Sequence, residues 1–438
     1  MKVLKFGGSS LADHEGFNRI KDIVASDPMR TVVVVSAPGK RYSADNKITD
    51  LLYICTAHIR YKVSYDDIWN DIKSRYLNIA QGCGLDVDVE SILWDVRSNF
   101  TPTVSEEYVV SRGEYLSALL MASHLGYAFV DACDVIHFNF DGTVDYDRTY
   151  EDIRNAYEKN GPMVVPGFYG STPDGKLHLF SRGGSDVTGA LVAAALDAQC
   201  YENWTDVDGI LMADPKIVDD PRTIERITFS ELRELSYMGA EVLHEETVFP
   251  VLKAHVPLYI KNTTNPSLTG TLVMESFDEE NEEEKSRFIT GITGKRDYSV
   301  LTVTKSRMHE DFSFVRRVLE ITEKYQLPIE HIQSSVDSFS LVISSSVLSR
   351  TGHVLTEEIR KECNTDDIKV DEGVSLIAVV GRRMVATKGV SGKIFAALGE
   401  AGINIRIIEQ GSDEINIMIG VMDEDFDDAI RTLYHSFT

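Results

Sequence analysis

The sequence predicts an α/β protein, with a domain on a largely parallel sheet followed by a pair of smaller α+β units. Three observations carry this. Short, continuous β-branched runs such as residues 31–36 (TVVVVS) alternate with helical spacing through the N-terminal part, as strands buried on both faces do. An acidic tract at 278–285 (DEENEEEK) carries no apolar residue and reads as a solvated linker or surface loop. Beyond it the chain repeats: a slide of 76 residues aligns 299–343 with 375–419 without a gap.

The elements follow in order. Val3, Leu4 and Phe6 form an apolar strand with Lys5 on the opposite face. Gly7-Gly8-Ser9-Ser10 breaks it, and a helical pattern follows at Leu11, Phe17, Ile20, Ile23 and Val24. A strand, a two-glycine turn and a helix bring backbone N–H groups close to an anion, and the lysine two residues upstream adds positive charge. The same residues also fit a plain glycine turn beside a solvated lysine. They are not the GxxxxGK[ST] phosphate loop, because the lysine precedes the glycines.

The run at 31–36 ends in Ser36-Ala37-Pro38-Gly39, a turn at a strand's carboxyl end, where open α/β sheets take their ligands. A helix starts at 47–50, and 60–105 reads as a helical insertion rich in aromatics (Tyr61, Tyr65, Trp69, Tyr76, Trp94). Residues 110–125 are helical and open with Ser111-Arg112-Gly113-Glu114; 127–130 and 163–165 are strands, the second ending in Pro166-Gly167-Phe168. A second glycine loop, Ser181-Arg182-Gly183-Gly184-Ser185-Asp186, leads into a small-residue helix at 187–198, which Ser185 or Asp186 can cap. Strand and turn at 202–208, a helix at 229–244 and a strand at 256–260 complete the domain.

In the repeat, SVLTVT (299–304) matches SLIAVV (375–380), Val318 falls on Ile394, and Leu327-Pro328-Ile329 on Ile403-Asn404-Ile405. Ile332 falls on Ile408, and Phe339, Leu341 and Ile343 on Ile415, Ile417 and Ile419. Each copy reads as a ferredoxin-like βαββαβ unit, with helices on one face of an antiparallel sheet. Two copies of ~75 residues cannot build a solenoid, so paired small domains are expected.

Composition bounds the function. The 438 residues suggest roughly two to four domains, and 43% hydrophobic with 26% charged residues is ordinary for a globular protein. A formal charge of −25 argues against nucleic acid or an anionic membrane as a partner. Cys55, Cys83, Cys133, Cys200 and Cys363 are scattered and odd in number, with no metal-ligand spacing, so no protein-held metal is expected. No apolar run approaches the ~18–20 residues that span a bilayer. The first strand starts too early for a signal peptide, which makes the expectation cytoplasmic.

Together these motifs resemble the aspartate kinase family of the amino acid kinase superfamily. The resemblance rests on Lys5-Phe6-Gly7-Gly8-Ser9-Ser10, the second glycine loop, Trp204-Thr205-Asp206-Val207-Asp208-Gly209 and Gly239-Ala240-Glu241-Val242-Leu243-His244. The tail is similar to that family's tandem ACT domains, with Gly402-Ile403-Asn404-Ile405 and Gln410-Gly411-Ser412-Asp413-Glu414 as signature stretches. The resemblance implies an αβα sandwich, the amino acid kinase fold, over 1–285, an ACT domain over 286–370 and another over 371–438. The first ACT unit is inserted in the second in this family, so a strand near 288–293 completes the later one.

The implied reaction is ATP-dependent phosphorylation of the side-chain carboxylate of L-aspartate to 4-phospho-L-aspartate. That is the first step towards lysine, threonine, methionine and diaminopimelate. The nucleophile is already ionised at pH 7, so the chemistry asks for two anions held in line and for charge neutralised on the moving phosphoryl group. The resemblance assigns Lys5 to that charge and Asp186 to orienting Lys5 or contacting substrate. Ser36, Thr49, Glu114, Arg182 and Ser185 would bind aspartate, Arg182 as a bidentate fork and Glu114 on the amino group. Phe6, Gly7, Gly8, Ser9, Gly183, Gly184, Thr205, Asp206, Leu211, Asp214 and Lys216 join Lys5 around the nucleotide, and Mg²⁺ arrives with ATP.

Four positions depart from common family residues: Leu211 replaces tyrosine, Lys216 arginine, Glu241 a phosphate-facing lysine, and Glu245 a proline. For the effector, alignment with lysine-inhibited members indicates Met308, Asp311, Val315, Glu330, Ser334 and Ser335, while Val336 stands where some carry glutamate. Lysine is the first expectation and threonine the second. A monofunctional enzyme is expected, forming a homodimer or a dimer of dimers through the ACT domains. Acetylglutamate kinase, uridylate kinase and a non-catalytic amino-acid sensor on the same fold are the alternatives.

Overall fold

The computed structural model describes residues 1–181, 183–240, 243, 245–277, 288–311, 313–382, 384, 387–411 and 415–438. Arg182, Glu241, Val242, His244, the acidic tract at 278–285 and Ser412-Asp413-Glu414 lie outside the described residues. The chain forms two compact units. The first comprises Met1–Ile210, Thr223–Leu232 and Val242–Asp278; the second comprises Leu211–Arg222, Arg233–Glu241 and Glu279–Thr438.

The first half of the chain runs β1 (Lys2–Phe6), a 3₁₀ turn (Gly8–Leu11), α1 (His14–Ala25), β2 (Arg30–Val35), α2 (Ile48–Tyr61), α3 (Asp66–Gly82), α4 (Val89–Ser98) and α5 (Glu106–Leu125). It continues through β3 (Ala128–Phe129), α6 (Ala132–Val135), α7 (Tyr146–Asn160), β4 (Met163–Pro166), β5 (Tyr169–Ser171), β6 (Leu177–Leu179), α8 (Gly184–Ala195) and β7 (Cys200–Thr205). Then come β8 (Arg226–Thr228), α9 (Phe229–Tyr237), α10 (Glu245–Lys253), β9 (Leu258–Asn262) and β10 (Thr271–Met274).

Eight strands form one sheet in the order β3-β4-β2-β1-β7-β9-β10-β8, parallel at every pairing except β9 with β10. The β-branched run of β2 is buried along nearly its whole length because helices cover both faces. On one face Leu4, Phe6, Val33, Val35 and Trp204 pack with residues of α1, α2, α3 and α5. On the other, α8 lies against β1, β2 and β7 and is itself covered by α7 and α10. That double burial explains its small residues: a Cβ on Gly189 would fall 2.5 Å from Tyr201 Oη.

Two helix boundaries differ from the sequence pattern. The helix expected at 229–244 ends at Tyr237, because Gly239 takes a φ of 107° and Ala240 N–H turns back to Leu235 O at 2.9 Å. The helix expected at 187–198 begins three residues earlier, at Gly184, after Gly183 in the left-handed region (φ 56°).

The second unit contains β11 (Gly291–Thr304), a 3₁₀ turn (Met308–Glu310), α11 (Phe314–Lys324), β12 (His331–Ser334), β13 (Ser338–Ser344), α12 (Ser345–Cys363) and β14 (Asp367–Val380). After these come α13 (Val390–Glu400), β15 (Ile407–Gln410), β16 (Asn416–Met422) and α14 (Phe426–Phe437). The two repeat copies share one antiparallel sheet, β12-β13-β11-β14-β16-β15, instead of forming two separate ones. Strand β11 serves both: residues 298–304 pair with β13, while 291–295 pair with 376–380 of β14.

The gapless alignment fails at its last strand. The α11/α13 and β12/β15 pairs keep the 76-residue offset, but β13 starts at 338 and β16 at 416, an offset of 78. Three residues, 335–337, separate β12 from β13, and five, 411–415, separate β15 from β16. A two-residue slip leaves every side chain on its own face of the sheet, so the hydrophobic pattern conceals it.

Candidate active site

Strand β1 delivers Lys5 near the carboxyl edge of the parallel sheet, the edge where such sheets bind ligands. Lys5 is 7% exposed, and its Nζ lies 2.5 Å from Asp186 Oδ1. Asp186 sits in the first turn of α8, where helix N-terminal charge favours an anion. Asn203 Nδ2 donates to the same Oδ1 at 2.8 Å. Register explains the trio: Lys5 pairs with Asn203 across β1 and β7, so both side chains reach the face that α8 covers. Asn203 escaped the sequence reading, although a lone amide in a buried strand was an available signal.

The turn after β1 is tighter than a helix start. Gly8 opens a 3₁₀ turn, and α1 begins only at His14, capped by Asp13. A Cβ on Gly8 would lie 2.8 Å from Ala37 O, and Gly39 N–H donates to Gly8 O at 2.7 Å. A Cβ on Gly7 would stand 3.5 Å from Lys5 Nζ, so this peptide borders the ammonium. Ser9 is exposed. Phe6 differs from the expectation: its ring is fully buried and stacks on Trp204 at 6.0 Å, leaving only its backbone at the turn.

Beside this turn, Ser36 is half-buried after β2, and Ala37 N–H donates to Glu114 Oε1 at 3.1 Å. Glu114, on α5, is 4% exposed, and its Oε2 has no hydrogen-bond partner among the described residues. Burial pushes its carboxyl up to about 8. Thr49 is half-buried in the first turn of α2. Ser185 is buried, and a Cβ on Gly167 would meet its Oγ at 2.6 Å; a Cβ on Gly184 would meet Phe168 Cα at 2.8 Å. The Pro166-Gly167-Phe168 turn and the second glycine loop are thus in backbone contact, a link that sequence spacing alone did not reveal.

Thr205 ends β7 and its Oγ1 donates to Asp206 Oδ1 at 3.1 Å, with Asp206 exposed. Leu211, Asp214 and Lys216 fall in the second unit. There Leu211 is half-buried, Asp214 and Lys216 are exposed, and Asp214 Oδ1 accepts the Lys216 N–H at 2.8 Å.

The effector candidates also lie in the second unit, with unequal surroundings. Met308 is core, packed with Phe314, Val318 and Leu341. Asp311 holds Lys305 Nζ and Arg317 Nη2, each at 2.7 Å, and these cations keep its carboxyl well below the usual range. Val315 packs beside that core from α11. Glu330 takes Lys295 Nζ at 3.0 Å, while Ser334 and Ser335 are exposed at the end of edge strand β12.

Among the described residues no group of His, Cys, Asp or Glu could hold a metal ion, and no helix is long and apolar enough to cross a membrane. A buried lysine fixed by a carboxylate, flanked by close-approach glycines and a carboxyl short of a cation, suits transfer of a phosphoryl group between two held anions.

Residues 1–262 match the amino acid kinase family, and 377–437 match an ACT domain. The whole chain is 34% identical to aspartokinase 3 of Bacillus subtilis (strain 168), covering 98% of that protein. The crystal structure of aspartate kinase from Clostridium acetobutylicum, described as an allosteric enzyme, has a TM-score of 0.95 and 45% identity, with both chains covered in full. Aspartokinase III of Escherichia coli has been solved with aspartate and ADP and with lysine and aspartate. Each structure gives a TM-score of 0.73 and 26% identity over all of this chain and 99% of that one.

Proposed function

We propose a site assignment and a regulatory reading for a chain that belongs to the amino acid kinase family and, within it, to the aspartokinases. It phosphorylates aspartate on the side-chain carboxylate and is regulated allosterically. The observation that carries the site assignment is the buried Lys5–Asp186 pair beside the Gly7-Gly8 turn.

In this reading Lys5 neutralises charge on the phosphoryl group as an aspartate carboxylate oxygen attacks phosphorus and the bond to the leaving nucleotide breaks. Asp186 and Asn203 hold the Lys5 ammonium in place, and Gly7, Gly8 and Gly184 offer backbone N–H groups. Glu114 takes the ammonium of aspartate, Arg182 a carboxylate, and Ser36, Thr49 and Ser185 add hydroxyl contacts. ATP is the donor, with Thr205 and Asp206 near its nucleoside part; ADP beside aspartate in the E. coli relative supports this. In this reading Mg²⁺ is carried on the ATP phosphates and water. When bound, Mg²⁺ supplies further neutralisation of phosphate charge.

The proposed division is a kinase domain at 1–285 with its helical insertion at 60–105, then ACT domains at 286–370 and 371–438, the latter completed by a strand near 288–293. Lysine is the proposed effector, with threonine the second choice; the E. coli relative is named lysine-sensitive. Glu330 would receive the effector's ammonium by exchanging its bond to Lys295. Exposed Ile332, Val336 and Ile408, on or next to edge strands β12 and β15, favour pairing of ACT sheets into a homodimer or a dimer of dimers. The setting proposed is the cytoplasm, at the start of lysine and threonine synthesis.

A coupled ADP-release assay across aspartate, acetylglutamate and UMP tests the reading. Turnover with aspartate alone is expected, and none with aspartate would overturn it. Thermal midpoints in lysine and in threonine identify the effector, since a ligand that binds the folded state raises its apparent stability.

A further inference from the structure

The twelve residues 36–47 between β2 and α2 carry Ser36 and Ala37 at one end and deliver Thr49 at the other. A connection of this length without regular structure needs something to hold its shape. It is tied at Ala37 N–H to Glu114, at Gly39 N–H to Gly8 O, and at Ile48 N–H to Pro38 O at 3.0 Å. Its centre is held from outside. Arg75, on α3 of the helical insertion and 4% exposed, donates from Nη1 to Gly39 O at 2.9 Å. Its Nη2 donates to Asp45 Oδ2 at 2.7 Å and to Asn46 O at 3.4 Å. Asp45, also buried, receives Arg41 Nε at 2.8 Å, Arg41 Nη2 at 3.1 Å and Arg41 N–H at 3.0 Å.

Gly39 is therefore gripped through both of its flanking peptides: its N–H by the glycine turn and its carbonyl by Arg75. We propose that Arg75, through Gly39 and Asp45, is the positioning residue that presents Ser36 and Thr49 to aspartate, so that the helical insertion sets affinity for the acceptor. The inference rests on the reading of Ser36 and Thr49 as aspartate contacts. Only a guanidinium reaches three acceptors in one plane; an ammonium at the same place reaches fewer and leaves part of the loop untied. A hollow of about 520 Å³ lined by Asp13, His14, Arg41, Arg75, Asn78 and Gly82 leaves room for substitution without a clash.

The test is steady-state kinetics on the full chain carrying Arg75→Lys or Asp45→Asn, with Thr49→Ala alongside. Each of the first two should raise KM for aspartate about tenfold, with kcat and KM for ATP within about twofold, as loss of acceptor positioning requires. If KM for aspartate stays within about twofold while Thr49→Ala raises it, Arg75 is not a positioning residue and the loop's reading survives. If Thr49→Ala also leaves it unchanged, the loop does not bind aspartate and both readings fall. A general fall in kcat with a lowered thermal midpoint, or failure of both variants to fold, assigns the cluster to the core and overturns the proposal.

Discussion

Lys5 and Glu114 are both buried near the carboxyl edge of the sheet, yet one is satisfied and the other is not. Lys5 meets a carboxylate at 2.5 Å, and that carboxylate has Asn203 as a second partner. Glu114 has one backbone N–H, an oxygen without a partner among the described residues, and a carboxyl raised to about 8 by burial. In the proposed assignment, the side that meets the phosphoryl group is assembled before ligand arrives, while the side that meets aspartate waits for a cation to complete it.

Removing the finished half should do the most damage. Lys5→Ala should lower kcat about 100- to 1,000-fold, the range for loss of one preorganised group facing developing charge. Effector binding, read as a thermal shift, should persist. Unchanged turnover would refute the role given to Lys5.

Next in size is Glu114→Gln, which keeps shape and an acceptor oxygen but cannot form an ion pair with an ammonium. It should raise KM for aspartate roughly tenfold or more, about the worth of one charged hydrogen bond, with a smaller change in kcat. An equal fall in kcat and kcat/KM would instead make Glu114 part of the transition state.

Smaller and more diagnostic is the effect of pH. A carboxyl with a folded-state value near 8 and an ordinary value of 4.5 binds more protons folded than unfolded within that window. Its contribution to stability is therefore lost as pH rises from about 4.5 to about 8. Glu114→Gln should raise the thermal midpoint at pH 8 by about 2–4 °C for each kcal/mol recovered, and change it little at pH 4.5. Differential scanning at the two pH values checks this, and the opposite ordering would contradict it.

Much of this was legible in the sequence because it is written in local codes. β-branched runs marked the parallel strands, paired glycines marked both turns, and the repeat announced the second unit. What stayed hidden depends on partners far apart in sequence. Asn203 meets Asp186 only through the β1–β7 register, and Gly39 meets Gly8 only where two strand ends lie side by side. Arg75 carries no local signal in the sequence, because only the fold brings it to Gly39 and Asp45. At Phe6 period-two alternation sends the ring into the core, so only its backbone reaches the turn. The two-residue slip in the repeat was invisible for the same periodic reason.

The most direct test of the contrast is calorimetry of aspartate binding at pH 7 in buffers of different ionisation enthalpy. If Glu114 waits protonated and ionises against the incoming ammonium, binding releases close to one proton per site, and Glu114→Gln abolishes the release. Binding without proton release in the unaltered chain would show that Glu114 is already ionised, and the distinction between a finished and an unfinished half of the site would fall.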